Sequence, residues 1–246
     1  MSGEGTMRIL AWNILHGGSG RRLPEIVLAL LGHRPDVVVL SEFRARLGGQ
    51  IRGILADHGL SHQAATPTPP DRNGMLIASR LPLVPRTDGP VTHPAAGRAC
   101  WRDRWLEVRV DGVTVGGVHV PDDGRPTDRS AYWQSLVAFA RLRKDQPTVL
   151  IGDFNTGRHG VDEEGATFTC THQLGILWTL GYRDAWRELH PESCEATWVS
   201  PRGGGFRIDA AHVSAVLVPR LRGARHSERE RRRGVSDHSS VMVDLS

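Results

Sequence analysis

The segment Ile151 to Asn155, I-G-D-F-N, ends an apolar run with an acid and an amide two residues apart. Alternate residues of a strand face the same side, so Asp153 and Asn155 aim at one point. The same design recurs along the chain, with apolar runs closing on polar residues that a buried strand does not ordinarily tolerate. Asn13 closes R-I-L-A-W-N, Glu42 closes D-V-V-V-L-S-E, and His119 stands near the end of V-T-V-G-G-V-H-V-P. Near the C-terminus, R-I-D at Arg207 to Asp209 and S-D-H at Ser236 to His238 each set a carboxylate beside a strand. An adjacent Asp and His at a strand entrance suit metal binding or phosphate chemistry. Taken singly, each has a plainer reading. Asn13 is also a turn former, His119 a hydrogen-bonded structural residue, and S-D-H a polar turn. For Glu42 a metal ion and an arginine partner serve equally to neutralise a desolvated acid. Six such sites in one chain weaken the plain readings jointly and point to a phosphate-handling or metal-binding centre.

The elements that must position these residues follow from hydrophobic patterning. Strands are predicted at Arg8 to Trp12, Asp36 to Leu40, Met75 to Ala78, Trp105 to Val110, Val113 to Val120 and Thr148 to Ile151, and later at Ala196 to Val199, Phe206 to Ser214 and Val241 to Leu245. Helical spacing is predicted at Leu23 to Leu31, Leu47 to Asp57, Arg129 to Arg143, Leu174 to Leu180 and Asp184 to Leu189, the third capped by Thr127 or Asp128. Such a mixture implies layered sheets with helices outside. Thr66 to Arg72, T-P-T-P-P-D-R, reads as a loop.

With 246 residues, 39% hydrophobic and 24% charged, the chain is long enough to bury a core without disulfide or metal staples. Any metal here can therefore be functional and not structural. One domain over residues 7–246 is expected, after a flexible N-terminus at 1–6. No apolar run reaches the roughly 18 residues of a membrane span, and Met1 to Thr6 carries no signal-like stretch, so a cytoplasmic location without membrane attachment is expected. Cys100, Cys170 and Cys194 are widely spaced and read as reduced, mostly buried thiols. The formal charge of +4 is too small to mark a nucleic-acid binder. Seven arginines crowd between Arg220 and Arg233, a cluster that codon usage explains in part and that also suits a phosphate-facing edge.

Together, an early W-N and L-x-E, then G-D-F-N, then a distant S-D-H resemble the endonuclease/exonuclease/phosphatase superfamily, from Met7 nearly to the C-terminus. The resemblance implies a four-layered α/β sandwich, deoxyribonuclease I-like, of two packed mixed β-sheets flanked by helices. It also implies a metal-dependent phosphoesterase site at one end of the sandwich. Carried over by position, Glu42 and Asn13 would hold Mg²⁺ or Mn²⁺, and Asp237 would complete or support that site. Asp153 would deprotonate the attacking water, and Asn155 would hold the nucleophile or phosphate oxygens. His238 would donate to a non-bridging oxygen, oriented by Asp209.

The run from Gly181 to Pro191, then Thr197 and Trp198, then F-R-I-D-A-A-H-V-S, resembles the exonuclease III type of abasic-site DNA endonuclease. In that reading Trp198, Phe206 and Ile208 wall a sugar pocket, with Arg207 beside them on the substrate; ordinary core packing is the alternative for the three apolar residues. Where those enzymes carry a tyrosine this chain has His119, as deoxyribonuclease I and the sphingomyelinases do, which suits a second phosphate contact or general acid. The expectation is a monomeric DNA endonuclease or 3′ exonuclease of the abasic-site repair type. The alternatives are a nonspecific deoxyribonuclease, or a phosphatase or phosphodiesterase acting on a nucleotide, inositol phosphate or lipid headgroup.

Overall fold

The computed structural model describes residues 5–86, 101–122, 124 and 126–246. Along the first half run β1 (Met7–Asn13), α1 (Leu23–Gly32), β2 (Val37–Phe43), α2 (Ala45–Asp57), β3 (His62–Ala65), β4 (Gly74–Ser79), β5 (Leu83–Arg86), β6 (Trp105–Val110) and β7 (Val113–His119). The second half holds α3 (Pro126–Arg143), β8 (Thr148–Asp153), α4 (Thr171–Thr179), β9 (Arg183–Asp184), α5 (Ala185–Leu189), β10 (Trp198–Val199), β11 (Gly205–Phe206), β12 (Asp209–Val213), β13 (Leu221–Ser227), α6 (Arg229–Arg232) and β14 (Ser240–Leu245). A 3₁₀ turn, Ala215–Arg220, links β12 to β13.

Two six-stranded sheets form, ordered β13-β14-β1-β2-β4-β3 and β5-β6-β7-β8-β12-β9. Both are mixed, because β1 and β2 run parallel, as do β7 and β8, while their other pairings are antiparallel. The strand alternation that suggested aimed side chains also builds the layers. Ile9 and Ala11 of β1 meet Val149 and Ile151 of β8 in a core between the sheets. Leu10 and Trp12 turn the other way, onto α1 and α2. Leu150 faces α3 and α4, among Tyr132, Trp133, Leu136 and Phe139. Helix, sheet, sheet, helix is the expected four-layered sandwich.

Several predicted elements change in detail. Helix α3 starts at Pro126, so neither Thr127 nor Asp128 caps it; proline suits a first turn, where its missing N–H has no intrahelical partner in any case. The strand expected over Phe206 to Ser214 breaks at Arg207 and Ile208, because Phe206 pairs back with Trp198 and Asp209 begins a pairing with β8. The arginine-rich stretch runs through β13 and α6, and four of its seven arginines pair with acids: Arg225 with Asp244 at 2.8 Å, Arg231 with Glu228 at 3.3 Å, Arg232 with Glu228 at 2.8 Å and Arg233 with Glu25 at 3.3 Å, while Arg220 and Arg222 donate to backbone carbonyls. Cys194 is exposed and Cys170 half-buried, against the expectation of buried thiols, and both are free. Cys100 and residues 1–4 of the expected flexible N-terminus lie outside the described residues. No helix among the described residues is long and apolar enough to cross a membrane.

Candidate active site

Parallel and antiparallel pairing bring distant strand ends to one edge. His119 of β7 stands opposite Asp153 of β8, and Asp153 opposite Asp209 of β12. The first sheet supplies Asn13 from β1 and Glu42 from β2, and Ser236 ties the last loop to β1 by donating to the Asn13 carbonyl at 2.6 Å. The result is a cavity of about 510 Å³ whose lining includes Asn13, Glu42, His119, Asp153, Asn155 and His238.

Local backbone geometry explains how these side chains are aimed. Gly152 has φ +141°, and a Cβ there would lie 2.2 Å from the Val118 carbonyl oxygen, so only glycine lets β8 approach β7 closely enough to deliver Asp153. Glu42 has φ +55°, at a bulge where β2 loses register with β4 between Ser41 and Phe43. That extra residue turns the carboxylate off the sheet and into the cavity, as bulges do beside functional sites. Its Oε2 accepts from the backbone N–H of His16 at 2.7 Å.

A hydrogen-bond chain crosses the floor. Asn13 Nδ2 donates to Asp153 Oδ2 at 3.2 Å and to Glu42 Oε1 at 3.4 Å. Asp153 Oδ1 accepts from the Asn155 N–H at 2.9 Å, and Asn155 Nδ2 donates to the Val120 carbonyl at 2.8 Å. Opposite, His238 Nδ1 is 2.9 Å from Asp209 Oδ2, and both residues are buried. His119 Nε2 lies 3.3 Å from Arg104 Nη1, 3.9 Å from Asp153 Oδ2 and 4.0 Å from Glu42 Oε1.

The charges follow from these neighbours. Burial pushes Asp153 up, Asp209 adds to the rise, and His238, Asn13 and the Asn155 N–H offset it in part, leaving a value of about 7. Burial would lower His238, but the charge and hydrogen bond of Asp209, with help from Asp153 and Asp237, outweigh it and carry the imidazole up to about 10. His119 is held well below its usual range by burial first and by Arg104 second. At neutral pH the site therefore sets a cationic imidazole, a neutral imidazole and a carboxyl near its midpoint around one space.

The donor chemistry fits a hard divalent cation. Asp153, Asp209 and His238 bring ligand atoms within 4.8 Å of one another. A protonated imidazole engaged by Asp209 is a poor metal donor, however, which shifts weight toward the carboxylates of Glu42 and Asp153 and the neighbouring amide of Asn13.

One wall is apolar: Trp198, Phe206 and Ile208 all line the cavity, with the Trp198 and Phe206 rings 5.7 Å apart. Two expected members stand elsewhere, both in short connections between elements. Between Phe206 and Ile208, Arg207 points away from the cavity, is 4% exposed, and binds Asp162 at 2.8 Å and Asp184 at 2.6 Å. Between Ser236 and His238, Asp237 is exposed outside the cavity lining, and its carboxylate accepts from Trp198 Nε1 at 3.1 Å while its charge acts on His238. The cavity also holds residues that strand-end reasoning missed: His16, Asn73, Arg104, Asp122, Thr167 and Phe168. All lie in loops and carry no periodic signal; only the His16-Gly17-Gly18 run marks unusual backbone, with φ +56°, +72° and +72°.

Residues 10–238 match the Endonuclease/Exonuclease/phosphatase family. Among solved structures, the chain is similar to the 3′ phosphatase NExo from Neisseria bound to a product DNA hairpin, with a TM-score of 0.81, 25% identity and coverage of 98% of this chain and 99% of that one. It shares its fold with an AP endonuclease from Archaeoglobus fulgidus, with a TM-score of 0.80, 19% identity and coverage of 98% and 99%. A curated relative, the Transposon TX1 uncharacterized 149 kDa protein of Xenopus laevis, is 28% identical over 152 residues, which are 57% of this chain and 11% of that protein.

Proposed function

The chain belongs to the endonuclease/exonuclease/phosphatase family, and from that premise we propose that it is a divalent-metal-dependent phosphodiesterase that hydrolyses DNA, as an abasic-site endonuclease or 3′ exonuclease of repair. The observation that carries the reading is the meeting of Glu42, Asn13, Asp153 and the Asp209–His238 pair in one cavity beside the apolar wall of Trp198, Phe206 and Ile208. Similarity to NExo, described with a product DNA hairpin, supports DNA as substrate.

Glu42 and Asn13 would hold Mg²⁺ or Mn²⁺. When bound, the ion supplies charge neutralisation at the scissile phosphate. The protein's own groups do the rest. Asp153, near 7, takes the proton from the attacking water, and Asn155, whose Nδ2 is engaged by Val120, orients that water through Oδ1. His238, cationic and fixed by Asp209, donates to a non-bridging oxygen as charge grows in the transition state. Neutral His119 and Arg104 offer a second phosphate contact. Trp198, Phe206 and Ile208 exclude water from the sugar. We assign this work to a single domain over residues 7–246, acting as a monomer in the cytoplasm.

The test is Mg²⁺-dependent cleavage of a labelled duplex with one abasic-site analogue, beside undamaged duplex, single strand, a duplex ending in 3′-phosphate and a panel of small phosphomonoesters. Incision at the lesion or trimming of the 3′ end is expected. Release of phosphate from small esters alone would overturn the DNA reading.

A further inference from the structure

Behind the catalytic cavity, between α4 and the loop that follows β8, a second cavity of about 450 Å³ opens on the helix side of the sheet. The two cavities share no lining residue. Strand β12 explains what is unusual there. Ala211 and Val213 enter the core between the sheets, so Ala210 and His212 face outward, beneath α4. A helix layer ordinarily covers apolar side chains at such a position, yet β12 presents an imidazole.

His212 is 7% exposed and meets Phe154 edge-on at 4.8 Å. Its ring nitrogens have no hydrogen-bond partner among the described residues. Burial keeps the ring neutral, so it offers one N–H donor and one nitrogen acceptor to whatever enters. Around it stand Phe154, Leu174, Tyr182 and Trp178, the last 62% exposed, an unusual state for so large an aromatic side chain. At the rim lie His172, His159, whose Nδ1 is 2.8 Å from Glu163, and Arg158, which stands 3.6 Å from Asp162 and is the surplus cation beside the two wall acids and their arginines. The two acids of the wall, Asp162 and Asp184, are already matched by Arg207 and Arg187.

Each feature narrows the ligand. A purely aliphatic ligand would leave His212 unpaired in an apolar setting, which is costly. A simple anion would leave the aromatic wall bare. A flat ring with donors and acceptors along its edge, carrying an anionic group, answers the imidazole, the aromatic wall and the basic rim together. We propose that this cavity binds a nucleoside 5′-monophosphate, its base between Phe154 and Trp178 with its edge on His212, and its phosphate at Arg158 and His172. The site is distinct from the catalytic one, and binding needs no turnover, so it stands or falls independently of the proposed hydrolysis.

The test is titration of the full chain, in EDTA, with dAMP, 2′-deoxyadenosine and inorganic phosphate, followed by tryptophan fluorescence and by the amide resonances of α4. Saturable shifts from Thr171 to Thr179 are expected with dAMP, weaker ones with deoxyadenosine and none with phosphate. Gly175→Leu blocks the cavity: a Cβ at Gly175 meets nothing within 4 Å, and leucine is the better helix former. It should weaken dAMP at least about tenfold, as should His212→Ala, whereas Glu42→Gln in the catalytic cavity should bind dAMP like the wild type. Absence of α4 shifts, equal shifts with phosphate alone, or undiminished binding by a folded Gly175→Leu variant would overturn the site.

Discussion

Replacing Arg207 with methionine separates two roles that its neighbours in F-R-I-D make easy to confuse. In the structure its guanidinium reaches Asp162 at 2.8 Å and Asp184 at 2.6 Å, and stacks over Trp186 at 5.2 Å. Methionine fills similar volume but strands the acids. Asp162 retains Arg187 at 2.9 Å, so the larger loss falls on Asp184. Breaking a buried pair by removing one partner costs about 3–5 kcal/mol. At roughly 2–4 °C per kcal/mol for a chain of this size, the melting temperature should fall by about 6–20 °C at pH 7.5. The pH dependence supplies an independent check. Burial raises both acids, but Arg207 outweighs it and holds them below the ordinary aspartate range. Acids depressed in the folded state stabilise above their unfolded value of about 4 and lose that contribution as pH falls through the folded value. In Arg207→Met, burial is opposed only by His212 and the Arg187 N–H, so Asp184 rises from its depressed value and the variant forgoes above pH ~4 the stability that Arg207 supplies. Melting curves of both proteins should therefore stay apart from pH 7.5 to about 4 and converge only below it, as the wild type loses that contribution. If Arg207 instead touches substrate, the melting temperatures coincide and only KM for duplex DNA rises; that pattern would refute the structural role.

Further outcomes can be checked with similar assays. Asp153→Asn and His238→Ala should each lower kcat about 10²–10⁴-fold on the cleaved substrate while circular dichroism stays native; near-normal turnover would remove them from the chemistry. Gly152→Ala puts a Cβ 2.2 Å from the Val118 carbonyl oxygen and should destabilise by ~3 kcal/mol, read as a lower urea midpoint; an unchanged midpoint would mean that β7 and β8 can separate cheaply. Chelation by EDTA should abolish cleavage, Mg²⁺ or Mn²⁺ should restore it, and Glu42→Gln should need a higher metal concentration for half-maximal rate. DNA affinity should fall linearly in log-log fashion with salt, and a flat response would point to a small phosphoester instead.

What could be read in advance was what depends on local pattern. The strand ends Asn13, Glu42, His119, Asp153 and Asp209 announce themselves because a polar group after an apolar run is costly unless the fold uses it. The errors have the same origin. A single strand over Phe206 to Ser214 follows from pattern alone, but Phe206 pairs with Trp198 and Asp209 with Asp153, and in the break between them Arg207 turns to Asp162 and Asp184 while Ile208 lines the cavity. A period of two is visible in a sequence, but its phase relative to a cavity depends on which strands pair, and at what register. That His119, Asp153 and Asp209 stand level across β7, β8 and β12 is settled by one parallel and one antiparallel ladder between segments far apart in the chain. Loop members such as Arg104, Asn73 and Phe168 have no period at all, so only the folded chain assigns them to the site. The register also explains why electrostatics here could not be composed residue by residue. Burial raises Asp153 and Asp209 adds to the rise as a like charge, while burial would lower His238 and Asp209 outweighs it as an opposite one. A single carboxylate, placed by pairing alone, tunes both the group that accepts a proton and the group that donates one.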